Sequence, residues 1–311
     1  MDPPSPGRRA WRLLPIVIAV AVPWAWFAVR DIGGPLDVVA VGLPLIGATA
    51  IVSSAVVAVI VGRAWPVVAG ASVLAVCSVS VIGPRLPEAA ARPDPAIRML
   101  MANVWENNPT LDEVAPSMLA RGADLVIAAE MPDDAFYDRM TEAAAAAGLD
   151  ETVHGAQLGA WSTFPMRQLA GFGLPLARLM RVGVDAPGMP FVLYIVHAPN
   201  PLRDTTFTDQ RRFTEMILDA IAREHRPVVI AGDMNMSDRV VSYRLMDAEL
   251  IDAMDAGAFG RTTYMRGWWP TLLLRIDHIF IDPTWCAADP TTVTVTGSDH
   301  LGVEADIGPC G

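Results

Sequence analysis

The 311-residue chain is 52% apolar and only 18% charged, contains no lysine, and carries a formal net charge of −11. Charged residues make up roughly a quarter of an ordinary globular chain, so part of this one is built for a non-aqueous surrounding. From Ile97 onward acidic residues outnumber arginines by 29 to 16 with no basic stripe. This argues against nucleic acid as the ligand, because gripping a phosphate backbone runs on Lys/Arg neutralisation and counterion release.

Three apolar stretches open the chain, about Leu13–Val29, Val38–Gly62 and Ala64–Gly83. Between Leu13 and Pro84 the charged side chains are Arg30, Asp31, Asp37 and Arg63 alone. Each stretch is near the roughly 20 residues that cross a hydrocarbon core, so three transmembrane helices are expected. Pro23 and Pro44 are tolerable there, and Trp11, Trp24, Trp26 and Trp65 lie mostly towards stretch ends, where indoles favour the headgroup region. A cleaved signal peptide has one short apolar core and does not explain three long ones. Arg8, Arg9 and Arg12 before the first stretch and Arg63 between the second and third place the N-terminus in the cytoplasm by the positive-inside rule. Three crossings then put the rest of the chain outside. The expected organisation is a membrane anchor over residues 1–83, a Pro/Ala-rich linker over 84–96 (PRLPEAAARPDP at its heart) and a soluble domain over 97–311. Cys286 and Cys310 are the domain's two cysteines; a disulfide and two free thiols both stay open.

Beyond Ile97, short aliphatic runs bounded by Gly, Pro or Asp predict strands at Ile97–Val104, Asp124–Ala129, Phe191–His197, Pro227–Ala231, Ile276–Ile281 and Thr291–Thr296. Thr110 and Glu113 form a capping-box pattern before a helix from Leu111, with Pro116 expected to kink it. Phe213, Met216, Ile217, Ala220 and Ile221 make one apolar stripe on a helix over about Thr208–Glu224. The alternation is that of an α/β layered domain.

Polar residues collect at the strand ends, where open sheets place their sites. Asn103 ends the first strand, Glu130 the second, His197 and Asn200 a third; Asp233 and Asn235 follow the next, Asp277 opens IDHIFI, and Ser298-Asp299-His300 precedes the last apolar run. Singly each has a bland reading. A Glu after a strand is usually a solvated loop acid, and Gly-Asp-x-Asn is often only an Asx turn. Their joint order carries the signal.

That order, Asn…Glu…His-x-x-Asn…Gly-Asp-x-Asn…Asp-His…Ser-Asp-His, resembles the endonuclease/exonuclease/phosphatase (DNase I-like) superfamily over about Ile97–Ile307. The resemblance implies a four-layer sandwich, two mixed β-sheets face to face with helices outside. It also implies divalent-metal-dependent hydrolysis of a phosphate ester or anhydride, with Mg²⁺ (or Mn²⁺) as cofactor. Attack on phosphorus builds negative charge that needs a cation and preorganised donors. Mg²⁺ takes hard oxygens and needs only one or two carboxylates. Glu130, with Asn103 and Asp299, is the expected metal set. Asp233 is expected to deprotonate the attacking water, with Asn235 holding water or phosphate. His300 is expected to donate to a phosphate oxygen while Asp277 fixes its tautomer, and His197 and Asn200 supply further donors.

Two features depart from the nuclease pattern. The acid that pairs with the histidine at the position of His197 has no evident counterpart, and the segment between Glu130 and His197 is short, with GAWSTFPM (159–166) a loose match to the family's strand before Ser-x-x-Pro. Gly171–Met180 and Gly267–Leu274 are apolar, the latter with two adjacent tryptophans, and read either as core or as a lip facing a bilayer. The membrane helices plus this domain look like the VanJ-type teicoplanin-resistance membrane proteins. That architecture implies an extracytoplasmic phosphatase or phosphodiesterase whose partners are the lipid bilayer and a phosphorylated, lipid-linked envelope substrate. An extracytoplasmic nuclease and a non-catalytic membrane module on the same fold are the alternatives.

Overall fold

The computed structural model describes residues 21, 24–82, 91–171, 178–257 and 262–311. Among the described residues two helices, α1 (Pro35–Val61) and α2 (Trp65–Ile82), are long and apolar enough to cross a membrane. They form a hairpin in which small residues let the backbones close up: a Cβ on Gly70 would run into Ser54, and one on Gly47 would lie 3.1 Å from the Cβ of Cys77. Most of the first expected span, Leu13–Val29, falls outside the described residues; its last stretch, residues 24–29, is helical. Two spans rather than three are therefore shown.

The domain after the linker is two six-stranded sheets. The first runs β11 (Trp285–Thr294), β12 (Leu301–Pro309), β1 (Ile97–Asn103), β2 (Leu125–Ala129), β4 (Leu158–Ser162), β3 (Glu151–Gly155). The second runs β5 (Met166–Gln168), β6 (Leu179–Val184), β7 (Phe191–His197), β8 (Val228–Asp233), β10 (Asp277–Ile281), β9 (Ile251–Asp252). Across each sheet the pairings follow one order: two antiparallel, one parallel, two antiparallel. The parallel pairs β1/β2 and β7/β8 are bridged by α3 (Leu111–Leu119) and α5 (Phe207–Ile221), as parallel neighbours require.

Period-2 alternation builds the layers. Met99, Met101, Ile127, Leu193, Ile195, Val229, Ile279 and Val303 point between the sheets. Their neighbours Leu100, Ala102, Val126 and Ala128 pack with Val114 and Met118 of α3 and with Phe136 and Met140 of α4 (Asp134–Ala146). On the second sheet Tyr194, Val196, Ile230 and Phe280 pack with α5, with α6 (Val241–Asp247) and with Ala40 and Val41 of α1. Strands covered on both faces read as unbroken apolar runs, which is why five were legible; the sixth expected strand, Thr291–Thr296, meets only the last four residues of β11, which begins at Trp285 and is partly exposed there. Two mixed sheets with helices outside are present, as the expected sandwich requires.

Three local expectations resolve. The helix from Leu111 forms with Pro116 inside it, but Thr110 makes no cap bond; its hydroxyl is bonded to Asn108 Oδ1 instead, 3.1 Å away. α5 is capped by Thr206, whose side chain accepts from Asp209 N. Cys286 and Cys310 form a disulfide, closing the start of β11 onto the residue after β12.

Candidate active site

The strand registers bring the polar residues together. His197, Asp233 and Asp277 end or begin three adjacent strands, with His197 in register beside Asp233 and Asp233 opposite Asp277. In the facing sheet Asn103 and Ala129 are in register, so Glu130 follows one residue beyond. Three non-glycine residues here have left-handed backbones, Trp105 (φ 60°), Glu130 (φ 55°) and Asn235 (φ 48°). Such strain gathers where surrounding structure must aim a side chain.

Asn103 joins the two halves. Buried completely, its Nδ2 donates to Asp233 Oδ2 at 3.0 Å and its side chain also bonds Glu130, while its Oδ1 accepts from Trp105 N at 2.9 Å. Ser298 Oγ donates to the Asn103 carbonyl at 2.7 Å and accepts from His300 N at 3.0 Å, which fixes the Ser-Asp-His turn over β1.

His300 is 5% exposed, with Nδ1 2.8 Å from Asp277 Oδ2 and Nε2 3.9 Å from both Asp233 Oδ2 and Asp299 Oδ1. Burial works against its charge, but Asp277 and Asp233 outweigh that and push its pKa up to about 10. Asp233 is buried, and that burial together with the Asp277 carboxylate raises its pKa; its Oδ1 accepts from Asn235 N at 2.9 Å. Glu130 behaves oppositely. Burial raises it, yet hydrogen bonds from His197 and Asn103 and the charges of His197 and His300 hold it at about 2. His197 Nε2 lies 3.1 Å from Glu130 Oε1. The acid beside His197 is thus Glu130 itself.

Glu130, His197, Asn200, Asp233, Asn235, Asp299 and His300 all line one cavity of about 930 Å³. Asn235 is steadied by its Nδ2 bond to the Ala198 carbonyl, and Asn200 Oδ1 accepts from Leu202 N. Asp299 has Arg266 4.0 Å away. Residues that went unnoticed in the sequence also line the cavity: Trp105, Arg178, Tyr264, Arg266 and Val41. Tyr264 is tilted against the His300 ring at 5.0 Å, but nothing in its local sequence links it to a histidine 36 positions later. Of the two apolar lips, residues 172–177 lie outside the described residues; in the other, Trp268 and Trp269 stack at 4.9 Å and Trp269 reaches the cavity.

The donor set fits a divalent cation. Glu130, His197 and Asp233 hold ligand atoms within 4.8 Å of one another, as do Asp233, Asp277 and His300. Among the described residues Asp277 Oδ1 is buried with no hydrogen-bond partner, negative charge that a nearby cation would offset. Hard carboxylate oxygens are the ligands Mg²⁺ and Mn²⁺ take.

Comparison with known proteins agrees with this geometry. The profile of the endonuclease/exonuclease/phosphatase family matches residues 101–300. Among solved structures, the chain is similar to an endonuclease/exonuclease/phosphatase from Beutenbergia cavernae (21% identity, TM-score 0.56, 70% of this chain and 72% of that one). It is similar also to a humanized D. rerio TDP2 (17%, 0.54, 68% and 98%) and to an endonuclease/exonuclease/phosphatase from Bacteroides vulgatus (16%, 0.52, 69% and 99%). At these identities the likeness shows the fold. No curated protein gives a significant match. Family profile and paired sheets converge: the chain belongs to the endonuclease/exonuclease/phosphatase family.

Proposed function

We propose that this chain is a membrane-anchored, divalent-metal-dependent hydrolase of phosphate esters or anhydrides, with its catalytic domain outside the cytoplasm, acting on a lipid-linked envelope substrate. One observation carries the reading. The cavity has an acid–histidine floor and an apolar side formed by Val41, Phe207, Val240, Trp269, Leu274 and Ile276, with Val41 contributed by a helix apolar enough to span a bilayer. A phosphate joined to a hydrocarbon matches both faces at once.

Glu130 would hold the metal, with Asp299 and Asn103 beside it; Asn103 would use the remaining lone pair of an oxygen already anchored by Trp105 N. Bound there, the metal supplies positive charge to the phosphoryl oxygens. Asp233, buried and oriented by Asn103 and Asn235, takes the proton of the attacking water. His300 donates from Nε2 to a phosphate oxygen, and Asp277 holds its Nδ1 proton and steadies the imidazolium. His197, Asn200 and Asn235, which line the same cavity, supply substrate donors.

The helical hairpin supports the orientation. Buried residues of α1 cluster in its first half, where Ala40 and Val41 pack with the domain core. The domain therefore sits at the open end of the hairpin and Arg63 in the turn lies at the other end, where an arginine favours the cytoplasmic side.

Full-length protein in detergent micelles should release phosphate from a polyprenyl pyrophosphate with Mg²⁺ and stop on chelation. Plasmid nicking without such release would replace the lipid reading with a nuclease.

A further inference from the structure

Asp37 lies in the first turn of α1, a helix otherwise fit for lipid, yet it is 3% exposed. Burying a carboxylate among apolar groups is costly unless it is bonded. This one is: Oδ1 accepts from Val241 N at 3.0 Å. Val241 opens α6, and Val240 before it offers no side-chain cap. An aspartate 204 residues earlier in the chain therefore caps that helix. The approach is close, for a Cβ on Gly33 would lie 2.9 Å from Val241 Cγ2.

Further contacts extend the link. Arg244 of α6 bonds the Arg30 carbonyl and lies 2.9 Å from Asp31 Oδ1 at the entrance to α1, while its Nη1 donates to the Arg239 carbonyl. Arg239 in turn donates to the Leu272 carbonyl at 2.9 Å. A polar chain, exposed at Asp31 and buried at Arg239, thus runs from the start of α1 through α6 to the Trp269–Leu272 turn. Val41, Val240 and Trp269, one from each of these three pieces, line the cavity that holds Asp233 and His300.

The length of α1 agrees with a divided role. Its 27 residues span about 40 Å, more than the roughly 30 Å of a hydrocarbon core. Its buried residues run from Asp37 to Gly47, whereas Val52, Val56, Val59 and Ile60 are exposed.

We propose that the Gly33–Val41 segment is part of the catalytic unit. Asp37 is a positioning residue that ties α1 to α6, and Val41 is a specificity-determining residue that favours a hydrocarbon-bearing phosphoester over a bare one. The second role rests on the hydrolase reading above; the first does not. Loosening Asp37 frees the wall that Val41 and Val240 build, and filling the position of Val41 closes the space meant for the apolar part of the substrate.

The experiment takes full-length wild type, Asp37→Ala, Asp37→Asn and Val41→Trp in mixed micelles. Hydrogen exchange is read at the first amides of α6. Asp37→Ala should lose protection there, and Asp37→Asn should keep it, since an amide oxygen also caps. Identical exchange in wild type and Asp37→Ala would overturn the positioning role. In parallel, kcat/KM is measured for farnesyl diphosphate and for p-nitrophenyl phosphate with Mg²⁺. Val41→Trp should lower the ratio of the two by about tenfold, mainly through KM, as expected for lost apolar contact. An unchanged ratio would overturn the specificity role. If wild type cleaves no phosphoester, the hydrolase reading and the specificity role fall together, and the exchange data still decide the docking of α1.

Discussion

His300 Nδ1 sits 2.8 Å from Asp277 Oδ2 while its other nitrogen faces Asp233 and Asp299, each at 3.9 Å. One ring edge is held by a carboxylate whose other oxygen has no hydrogen-bond partner among the described residues, and the other edge is left to the cavity. Asp277→Asn keeps the shape but removes the charge and the tautomer control. The expected result is a fall in kcat of about 10²-fold or more with little change in KM. Steady-state kinetics beside a near-UV spectrum of the folded variant checks it.

Glu130 is ionised far below neutrality because His197 and Asn103 bond it despite burial. Glu130→Gln should weaken Mg²⁺ binding by at least about tenfold, read by titration calorimetry, and excess Mg²⁺ should restore part of the activity. Equal affinity in the variant would move the metal to the Asp233–Asp277–His300 group.

Gly232 stands before Asp233 on β8, and a Cβ there would run into the carbonyl of Val196 on β7. The glycine of Gly-Asp-x-Asn thus serves strand contact. Gly232→Ala should destabilise the domain by about 2–4 kcal/mol, since backbone cannot yield as a side chain does. Thermal unfolding measures it.

Glu224 is bonded by Arg181 and by the Tyr194 hydroxyl, with side chains 6% and 11% exposed for the acid and arginine. Burial raises its pKa, but those bonds win and lower it. A folded value below the unfolded value of roughly 4.3 means the contribution is complete above that pH and is lost as pH falls through the folded value. Glu224→Gln should cost about 2 kcal/mol at neutral pH. The gap from wild type should close in acid, as denaturant titrations at several pH values would show.

Much of the site was legible because strand ends are. The runs ending in Asn103, Glu130, His197 and Asp233 are apolar on both faces, so the first polar residue marks the exit. Pairing was not. Nothing in sequence says that Glu130 and His197, 67 positions apart, would touch, so no acid could be placed beside His197. Adjacent Asp277 and His278 also separate. Alternation sends Asp277 to His300 and His278 to Asp252, where Arg275 and Tyr243 complete a buried network outside the cavity. Strands β3, β5 and β9 escaped notice because they are short and partly exposed; β12 did because Gly302, Glu304 and Asp306 interrupt its apolar pattern.

Strand β12 lies between β11 and β1 although it is the last of the described strands in chain order. Residues made early therefore wait for residues made late: β1 gains its second neighbour only when 301–309 arrive, and His300 arrives with them. A chain halted before that point holds Glu130, His197 and Asp233 without the imidazole that answers them. Until β12 has paired with β1 the cavity lacks the His300 ring, so the acid–histidine site is assembled only when residues far apart in the chain have met.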